Sequence, residues 1–497
     1  MNSKLKGIIV CGVVVLCLGG TLAILELTGA AGNDSSSADD SSRASLSTSS
    51  EDESVQLVNK EPSDIVKITA VNEHGGYTYV GESEAGKETA YIEELKGLTL
   101  NANMISDLSE DIAQLKAYKL VEEGAQDLSK YGLSEPAAQF TVEYADGTEQ
   151  TFCIGDTAPQ NRYKYFCEKD STDVYMVLAS SVANYAEAKE SFVNTTLLAQ
   201  PQDSEMPEYG RLTVSRTDID YDISFITDPY NYENMPSALV MDEPIFAYLN
   251  VDLASDVTYG MYGLTAMSAE VVFPTEDDMK EYGLDKPMTT VNFKGEGYDY
   301  TLTIGNEYHE TDEDGKEQTA VSAYYCYFTG VDGKDCIWKV DASSLQWTTF
   351  LPGDVITSMM TWNMITSVNS VNISGDVTAD FELTTATDEE GDEDVAKVTL
   401  DGKEVSVDDF KSYYQYILTC PTSDVCFKQP EGEPYLTMEI KCDDGKTDKL
   451  EFYKETERRT IVMLNEITPY RIQSSWVDRM LKNVEAVRNG EKIVDTY

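Results

Sequence analysis

The stretch that decides the fold runs from residue 128 to residue 136, Leu-Ser-Lys-Tyr-Gly-Leu-Ser-Glu-Pro, and leads into Phe-Thr-Val-Glu-Tyr from residue 140. A helix that runs into Tyr131 would place Gly132 in the left-handed conformation and let Leu133 pack back on its last turn. Pro136 would end the helix and favour an extended entry to the alternating strand. Asp146-Gly147 then predicts a hairpin turn. The stretch therefore predicts a helix, a strand and a hairpin in succession.

The same pattern recurs further along the chain. Residues 279–287 read Met-Lys-Glu-Tyr-Gly-Leu-Asp-Lys-Pro and lead into Thr-Val-Asn-Phe from residue 290. Both copies reach a second strand that ends in Ile-Gly, at residues 154–155 and 304–305. Tyr131 and Tyr282 are 151 residues apart, and Gly155 and Gly305 are 150 apart, so one deletion separates the copies. Self-similarity at this distance indicates tandem domains.

A third, more diverged copy lacks Tyr-Gly-Leu but keeps its strand and turn. Pro434 is followed by Leu-Thr-Met-Glu-Ile and by Asp444-Gly445, at the spacing that separates Pro136 from Gly147. Each copy opens with a pair of strands, and each closes with a Ser-Ser pair that is predicted to lead a helix, at residues 180–181, 343–344 and 474–475.

These patterns predict an α+β fold of three tandem units that span residues 60–200, 207–355 and 362–490. Each unit is expected to be an antiparallel sheet with one or two helices. Ile105, Leu108, Ile112 and Leu115 have helical spacing in the first unit. In the third unit, Ser406 and Asp409 approximate a capping box at the start of another helix.

The N-terminal residues predict a membrane anchor or a signal segment over residues 1–32. Lys4 and Lys6 precede an uncharged run, residues 7–25, that at about 1.5 Å per residue is long enough to cross a bilayer core of about 30 Å. Basic residues on the N-terminal side favour keeping that end in the cytoplasm, with the bulk of the chain extracytoplasmic. Thr28-Gly29-Ala30 leaves cleavage open as an alternative. Residues 33–59, rich in Ser and Asp, are expected to be a flexible tether.

Charge and motif content argue against several classes of partner. The chain has 37 basic and 89 acidic residues and a net charge of −52, which repels nucleic acid. The P-loop and dinucleotide-binding glycine patterns are absent from the sequence, so we expect no nucleotide or other cofactor. Weak cation binding or attraction to a basic partner remains open.

The cysteines do not predict a metal site or a disulfide framework. Two of the nine lie within residues 7–25, and the other seven are an odd number without zinc-site spacing. Cys326 and Cys336 flank a Gly330–Gly333 turn and could face each other across a hairpin. We expect them to be free, because such a pair would be strained.

Candidate catalytic groups are few. His74 and His309 are the only histidines, and both lie beside turn residues. The acidic loops 309–317 and 388–394 could bind calcium loosely, although neither has EF-hand spacing. Tyrosine-rich runs at residues 163–166 and 324–328 suit sheet packing or an aromatic binding face. We therefore assign no catalytic, cofactor-binding or metal-binding residue and expect no enzyme activity.

The Tyr-Gly-Leu-x-x-Pro pattern, with the strand before it, resembles the domain-of-unknown-function family numbered 4340. The resemblance covers residues 64–185, recurs over 211–347 and fades over 364–476. It implies a membrane-anchored accessory of an ABC-type transport complex, and it assigns no catalytic residues. We expect an extracytoplasmic binding or scaffold protein. The alternatives are a cell-envelope enzyme that acts on glycans with paired carboxylates, and a surface adhesin.

Overall fold

The described part of the chain is predominantly β-structure. A computed structural model describes residues 54–494, except for residues 82–88, 160, 231–234, 313–314, 358, 360, 388–392, 421–423 and 428. Over these residues the chain forms three antiparallel sheets of nine strands and six α-helices, several of them short. The predicted α+β class is therefore wrong.

The predicted N-terminal transmembrane helix and the first part of the tether, up to residue 53, lie outside the described residues. Among the helices that are described, none combines the length and the apolar character needed to cross a bilayer.

The strands of each sheet come from one continuous part of the chain. The first sheet contains β1 Val55–Gln56, β2 Ile65–Asn72, β3 Tyr77–Val80, β4 Tyr91–Ile92, β5 Lys116–Glu122, β6 Ala138–Tyr144, β7 Glu149–Thr157, β8 Tyr163–Glu168 and β9 Val174–Leu178. The second contains β10 Arg211–Arg216, β11 Ile223–Thr227, β12 Leu239–Glu243, β13 Ala247–Tyr248, β14 Ser268–Val272, β15 Thr289–Gly295, β16 Tyr298–Tyr308, β17 Ala323–Thr329 and β18 Cys336–Asp341. The third contains β19 Val368–Gly375, β20 Ala379–Thr387, β21 Glu393–Leu400, β22 Lys403–Val405, β23 Asp424–Val425, β24 Leu436–Cys442, β25 Thr447–Lys454, β26 Arg459–Leu464 and β27 Thr468–Gln473.

The three sheets have the same central strand order. In the first sheet β2 lies between β3 and β6, and β7, β8 and β9 follow β6 in sequence order before β5 completes the run. The second sheet repeats this order around β10, and the third repeats it around β19. The strands β6, β15 and β24 hold equivalent places, and each begins two residues after its proline, Pro136, Pro287 or Pro434. The prediction that these prolines lead into equivalent strands is confirmed.

Four of the predicted helices are present, including the one that leads into Tyr282 and the one at the third Ser-Ser pair. The helix α1, Ala102–Ala113, buries Ile105, Leu108 and Ile112. The helices α2, α3 and α4 span Val251–Thr258, Glu276–Glu281 and Pro352–Val355. The helix α5, Val407–Leu418, begins after Ser406, whose side chain accepts a hydrogen bond from the Asp409 N–H.

Three other segments that were predicted as helices are only short 3₁₀ segments. The segment before Gly132 is one 3₁₀ turn, Leu128–Tyr131, and the Ser-Ser segments of the first two units are the 3₁₀ stretches Ser180–Ala186 and Ala342–Ser344. Only the third Ser-Ser pair starts a long helix, α6, Ser474–Asn489. A helix nucleus fixes several residues for a single hydrogen bond, so segments this short gain little, whereas strands in a sheet share a ladder of bonds.

The end of the predicted tether is part of the first sheet. Val55 and Gln56 pair with Ala117 and Lys116 of β5, and Val58 is buried. The prediction that residues 54–59 are flexible is therefore wrong, because these residues cover an otherwise open sheet edge.

The Tyr-Gly-Leu turn is seated on the Ile-Gly strand of the same unit. Gly132 and Gly283 have φ of +66° and +72°, and Leu133 and Leu284 are each 5% exposed, which confirms the predicted left-handed turn and its buried leucine. A Cβ on Gly155 would lie 2.2 Å from the Tyr131 carbonyl oxygen. Both sheets shift register directly after this point, between residues 154 and 157 and between residues 304 and 307.

The first two sheets share one hydrophobic core, and the third has its own. The segment that joins the first two sheets pairs with a loop of the second: the Leu197 N–H donates to the Leu264 carbonyl at 2.9 Å, and the Ala266 N–H donates to the Thr195 carbonyl at 2.8 Å. Lys334 is buried and donates from Nζ to the Asn194 carbonyl at 2.9 Å. The backbone of this connection is thus part of the packed structure rather than a linker.

Because the Tyr-Gly-Leu turn of the second unit packs directly on Gly305, we expect a methyl group at this position to destabilise the fold. A Cβ there would lie 2.3 Å from the Tyr282 carbonyl oxygen, so the backbone must move. We expect Gly305→Ala to lower the free energy of unfolding by about 3 kcal/mol, as severe overpacking does. The measurement is urea unfolding followed by circular dichroism.

Gly147→Ala is the matched control. Gly147 has a φ of +82° and nothing within 4 Å of its ideal Cβ, so only left-handed strain, about 1 kcal/mol, is expected. Equal losses of unfolding free energy for the two variants would contradict the close contact between the turn and Gly305.

Candidate functional site

The tyrosine-rich strands β8 and β17 divide their side chains between the core and the outer face of each sheet. Phe166, Cys326 and Phe328 are buried in the shared core. Tyr165 and Tyr325 alternate with these residues and are only partly buried. The two interpretations of the sequence, sheet packing and an aromatic face, therefore each describe one side of the same strands.

The first tyrosine cluster consists of Glu122, Tyr131 and Tyr165. The rings of Tyr131 and Tyr165 meet edge to face with centroids 4.9 Å apart. The Tyr131 hydroxyl donates to Oε2 of Glu122, on β5, at 2.5 Å. The turn that carries Tyr131 thus brings its ring onto the outer face of the sheet beside a carboxylate.

The second tyrosine cluster consists of Glu270, Tyr282 and Tyr325. The rings of Tyr282 and Tyr325 also meet edge to face, with centroids 4.6 Å apart. Glu270 lies on β14, the strand equivalent to β5, and forms an ion pair of 3.1 Å with Nζ of Lys339. Lys339 in turn lies 4.7 Å from the centroid of the Tyr308 ring, a cation–π distance.

Strand register shows that the two clusters occupy equivalent positions. Ile154 pairs with Phe166 in the first sheet, and Ile304 pairs with Cys326 in the second, so Tyr165 and Tyr325 correspond. The same register in the third sheet pairs Phe452 with Val462 and places Ile461, a buried residue, at this position. The third sheet has diverged from the other two here.

The environment keeps the tyrosine hydroxyls protonated at neutral pH. The hydrogen bond to Glu122 raises the pKa of Tyr131 above its usual value. Burial raises the pKa of Tyr282 and of Tyr325, and the negative charge of Glu270 adds to both effects. Each cluster therefore presents phenol donors, aromatic rings and one carboxylate, a combination suited to contacts with a protein surface.

Exposed aromatic surface continues beyond the first tyrosine cluster. Tyr118, 43% exposed, stacks on Tyr163 with centroids 4.7 Å apart, and the Arg162 guanidinium lies 5.7 Å from the Tyr163 ring centroid. Leu178 is Tyr163's partner in the register and is also exposed. The face of the first sheet that carries Tyr163 is therefore more accessible than the face that packs in the shared core.

The histidines lie apart from the clusters in the sequence and have local partners. His74 lies 3.6 Å from Glu73. His309 contacts the Ala320 carbonyl through Nδ1 at 3.0 Å and Glu307 through Nε2 at 3.3 Å.

The acidic loops proposed as calcium sites are described only in part. Asp312 accepts a hydrogen bond from the Lys316 N–H at 2.8 Å, which closes the first loop on itself. In the second loop residues 388–392 lie outside the described residues, and Asp394 pairs with Lys411 at 2.6 Å. Across the ranges that the structure describes, no three His, Cys, Asp or Glu side chains are grouped closely enough to hold a metal ion.

An apolar cleft of about 530 Å³ lies where the chain enters the third unit. Its lining includes Trp362, Met364, Tyr414 and Leu418, with the Asp394–Lys411 pair also present. The Trp362 indole N–H is buried and has no hydrogen-bond partner among the described residues. Sequence reasoning missed this cleft, and the available signal was a tryptophan, Trp362, at the first residue of the predicted third unit.

One part of the chain matches a known protein family. Residues 91–206 match the family described as Domain of unknown function (DUF4340). The resemblance seen in the sequence is confirmed over this range. No curated protein and no solved structure matches the chain. The DUF4340 range contains the whole first tyrosine cluster and most of the segment that connects the first two sheets.

The difference between the clusters predicts different effects of removing one oxygen atom. In Tyr131→Phe the hydrogen bond to Glu122 is lost, so we expect a lower urea midpoint. Tyr282→Phe is the control, since the contacts of the Tyr282 ring, rather than its hydroxyl, hold it against Tyr325. We expect a midpoint near that of the wild type for this variant. A Tyr131→Phe midpoint equal to that of the control would show that the bond adds no stability.

Proposed function

We propose that this protein is an extracytoplasmic binding or scaffold protein, an accessory to a membrane transport complex of the ABC type, without catalysis of its own. The observation that carries the proposal is the duplication of the tyrosine cluster on the outer faces of the first and second sheets. Two equivalent patches within one compact unit would engage a partner at two points.

The chemistry of the clusters supports a protein partner. Tyrosine is enriched at protein interfaces, because it offers a large rigid surface with a polar end, and a few such residues supply most of the binding energy. The net charge of −52 would attract a partner with a basic surface and speed its association.

The proposed location rests on the sequence. Residues 7–25 would hold the chain at the membrane, and the basic residues before them favour an extracytoplasmic position for the sheets. The match of residues 91–206 to DUF4340 supports the family resemblance from which the transport-associated role is inferred.

The arrangement of carboxylates favours binding over glycan hydrolysis. A glycosidase requires two carboxyl groups facing each other across the scissile bond, about 5 to 9.5 Å apart. Here Glu122 is engaged by the Tyr131 phenol, and Glu270 is engaged by the Lys339 ammonium. In the apolar cleft, Asp394 is paired with Lys411.

Site-specific photo-crosslinking in cells tests the proposal. A benzophenone amino acid placed at Tyr165 or at Tyr325 should give covalent adducts with subunits of a membrane transport complex, identified by mass spectrometry. Leu253, 59% exposed on α2, is the matched control position and should give no such adduct. Adducts of the same identity and yield from all three positions, or none from Tyr165 and Tyr325, would contradict the proposal.

Truncation of the rings then measures the contribution of each cluster. Once the partner is identified, Tyr165→Ala and Tyr325→Ala should each weaken its binding about tenfold, a typical loss for an interface aromatic residue.

A further inference from the structure

Two cysteines lie directly opposite each other on adjacent strands of the first sheet. Cys153 on β7 and Cys167 on β8 are partners in the antiparallel register. They are 7% and 3% exposed, and the Cys153 thiol donates to Oε1 of Gln139 at 4.0 Å. Both side chains point away from the shared core into a small separate cluster that contains Leu133.

Packing alone does not explain a cysteine at both positions. The equivalent pair in the second sheet is Thr303 and Tyr327, and in the third sheet it is Glu451 and Met463. Three unrelated pairs fill the same place in three sheets of the same strand order, so the fold itself does not require thiols there.

The register permits a bond between these two sulfurs. Directly opposed residues of antiparallel strands have Cα atoms about 4.5 to 5.5 Å apart, within the range of about 4.4 to 6.8 Å found for disulfides. The pair singled out from the sequence does not meet this condition, because Cys326 lies opposite Trp338 and Cys336 lies opposite Val272.

We propose that Cys153 and Cys167 form a reversible, redox-responsive disulfide under the first tyrosine cluster. A small-molecule disulfide is the oxidant. The Cys153 thiolate attacks one of its sulfurs and displaces a small thiolate, which leaves a mixed disulfide on Cys153. Cys167 then loses its proton and attacks the Cys153 sulfur, and the second small thiol leaves. Two protein thiols are oxidised to one disulfide, and one small disulfide is reduced to two thiols.

The local environment suits Cys153 for the first attack. Cys153 is the more exposed of the two thiols, at 7% against 3%. Its interaction with Cys167, aided by the positive charge of Lys169, lowers the pKa of Cys153, and the same interaction raises the pKa of Cys167. A lower pKa increases the fraction of thiolate, which is the form that attacks a disulfide.

Formation of the disulfide would change the packing of the first tyrosine cluster. Leu133 belongs to the same small cluster as the two cysteines, and Tyr131 and Tyr165 pack against that cluster, so a shift of the two strands acts directly on these residues. Opposed Cβ atoms in a sheet are farther apart, by up to about 1 Å, than those of a relaxed disulfide, so closure draws the two strands together beneath these rings. The second cluster has no thiol pair at the equivalent position and should not respond.

Peptide mapping of the full-length chain tests this inference. The purified protein, in detergent and without denaturant, is incubated with oxidised glutathione. It is then unfolded in urea that contains N-ethylmaleimide, which labels every remaining thiol, and digested without reduction. We expect a bridged 153–167 peptide that dithiothreitol converts back to two free thiols. Cys326 and Cys336 are the internal control and should be recovered as maleimide adducts.

Variants identify the order of the steps. With Cys167→Ser, Cys153 should accumulate as a stable glutathione adduct, because the second thiol is missing. Cys153→Thr introduces the residue of the second sheet and should leave Cys167 unmodified. A bridge that forms only in urea, or maleimide labelling of both cysteines after oxidation of the folded protein, would overturn the proposal. Glutathione on Cys167 but not on Cys153 would overturn the assigned order.

Discussion

The structure depends on a carbonyl oxygen that lies where a Cβ would otherwise be. In the first two sheets the Tyr-Gly-Leu turn rests on Gly155 or Gly305, and the carbonyl of its tyrosine occupies the space above that glycine. The register between this strand and the next one in the sheet shifts at this contact. The contact also buries the leucine that follows the turn glycine. It also determines where the tyrosine ring emerges on the outer face. The tyrosine clusters therefore follow from backbone packing as much as from the choice of side chains.

The sequence predicted the parts of the fold that are set by local chemistry. The left-handed Gly132 and Gly283, the prolines before three equivalent strands and the amphipathic helix α1 depend on neighbouring residues, and all three features are present. The fold class was wrong because short segments with helix-like spacing form single turns, and because strands such as β5 pair with distant partners. The shared core of the first two sheets depends on contacts between repeat units. A repeat pattern in the sequence contains no information about such contacts.

The candidate site shows the same limit. The sequence drew attention to the tyrosine runs, but the glutamate partners come from β5 and β14, whose positions depend on the strand order. The cysteine pair was also a matter of register. Nearness to a turn drew attention to Cys326 and Cys336, which we expected to be free, whereas the bulge after Ile154 brings Cys153 opposite Cys167. Counting residues outward from a hairpin loop identifies opposed residues correctly only when the position of the bulge is known.

The common core of the first two sheets makes two of the three repeats depend on each other. A cut between the first and second repeats would open that core and expose a broad apolar surface. The third repeat has a large core of its own, so substitutions inside it, including the absence of Tyr-Gly-Leu, require no matching change in the core of the other two.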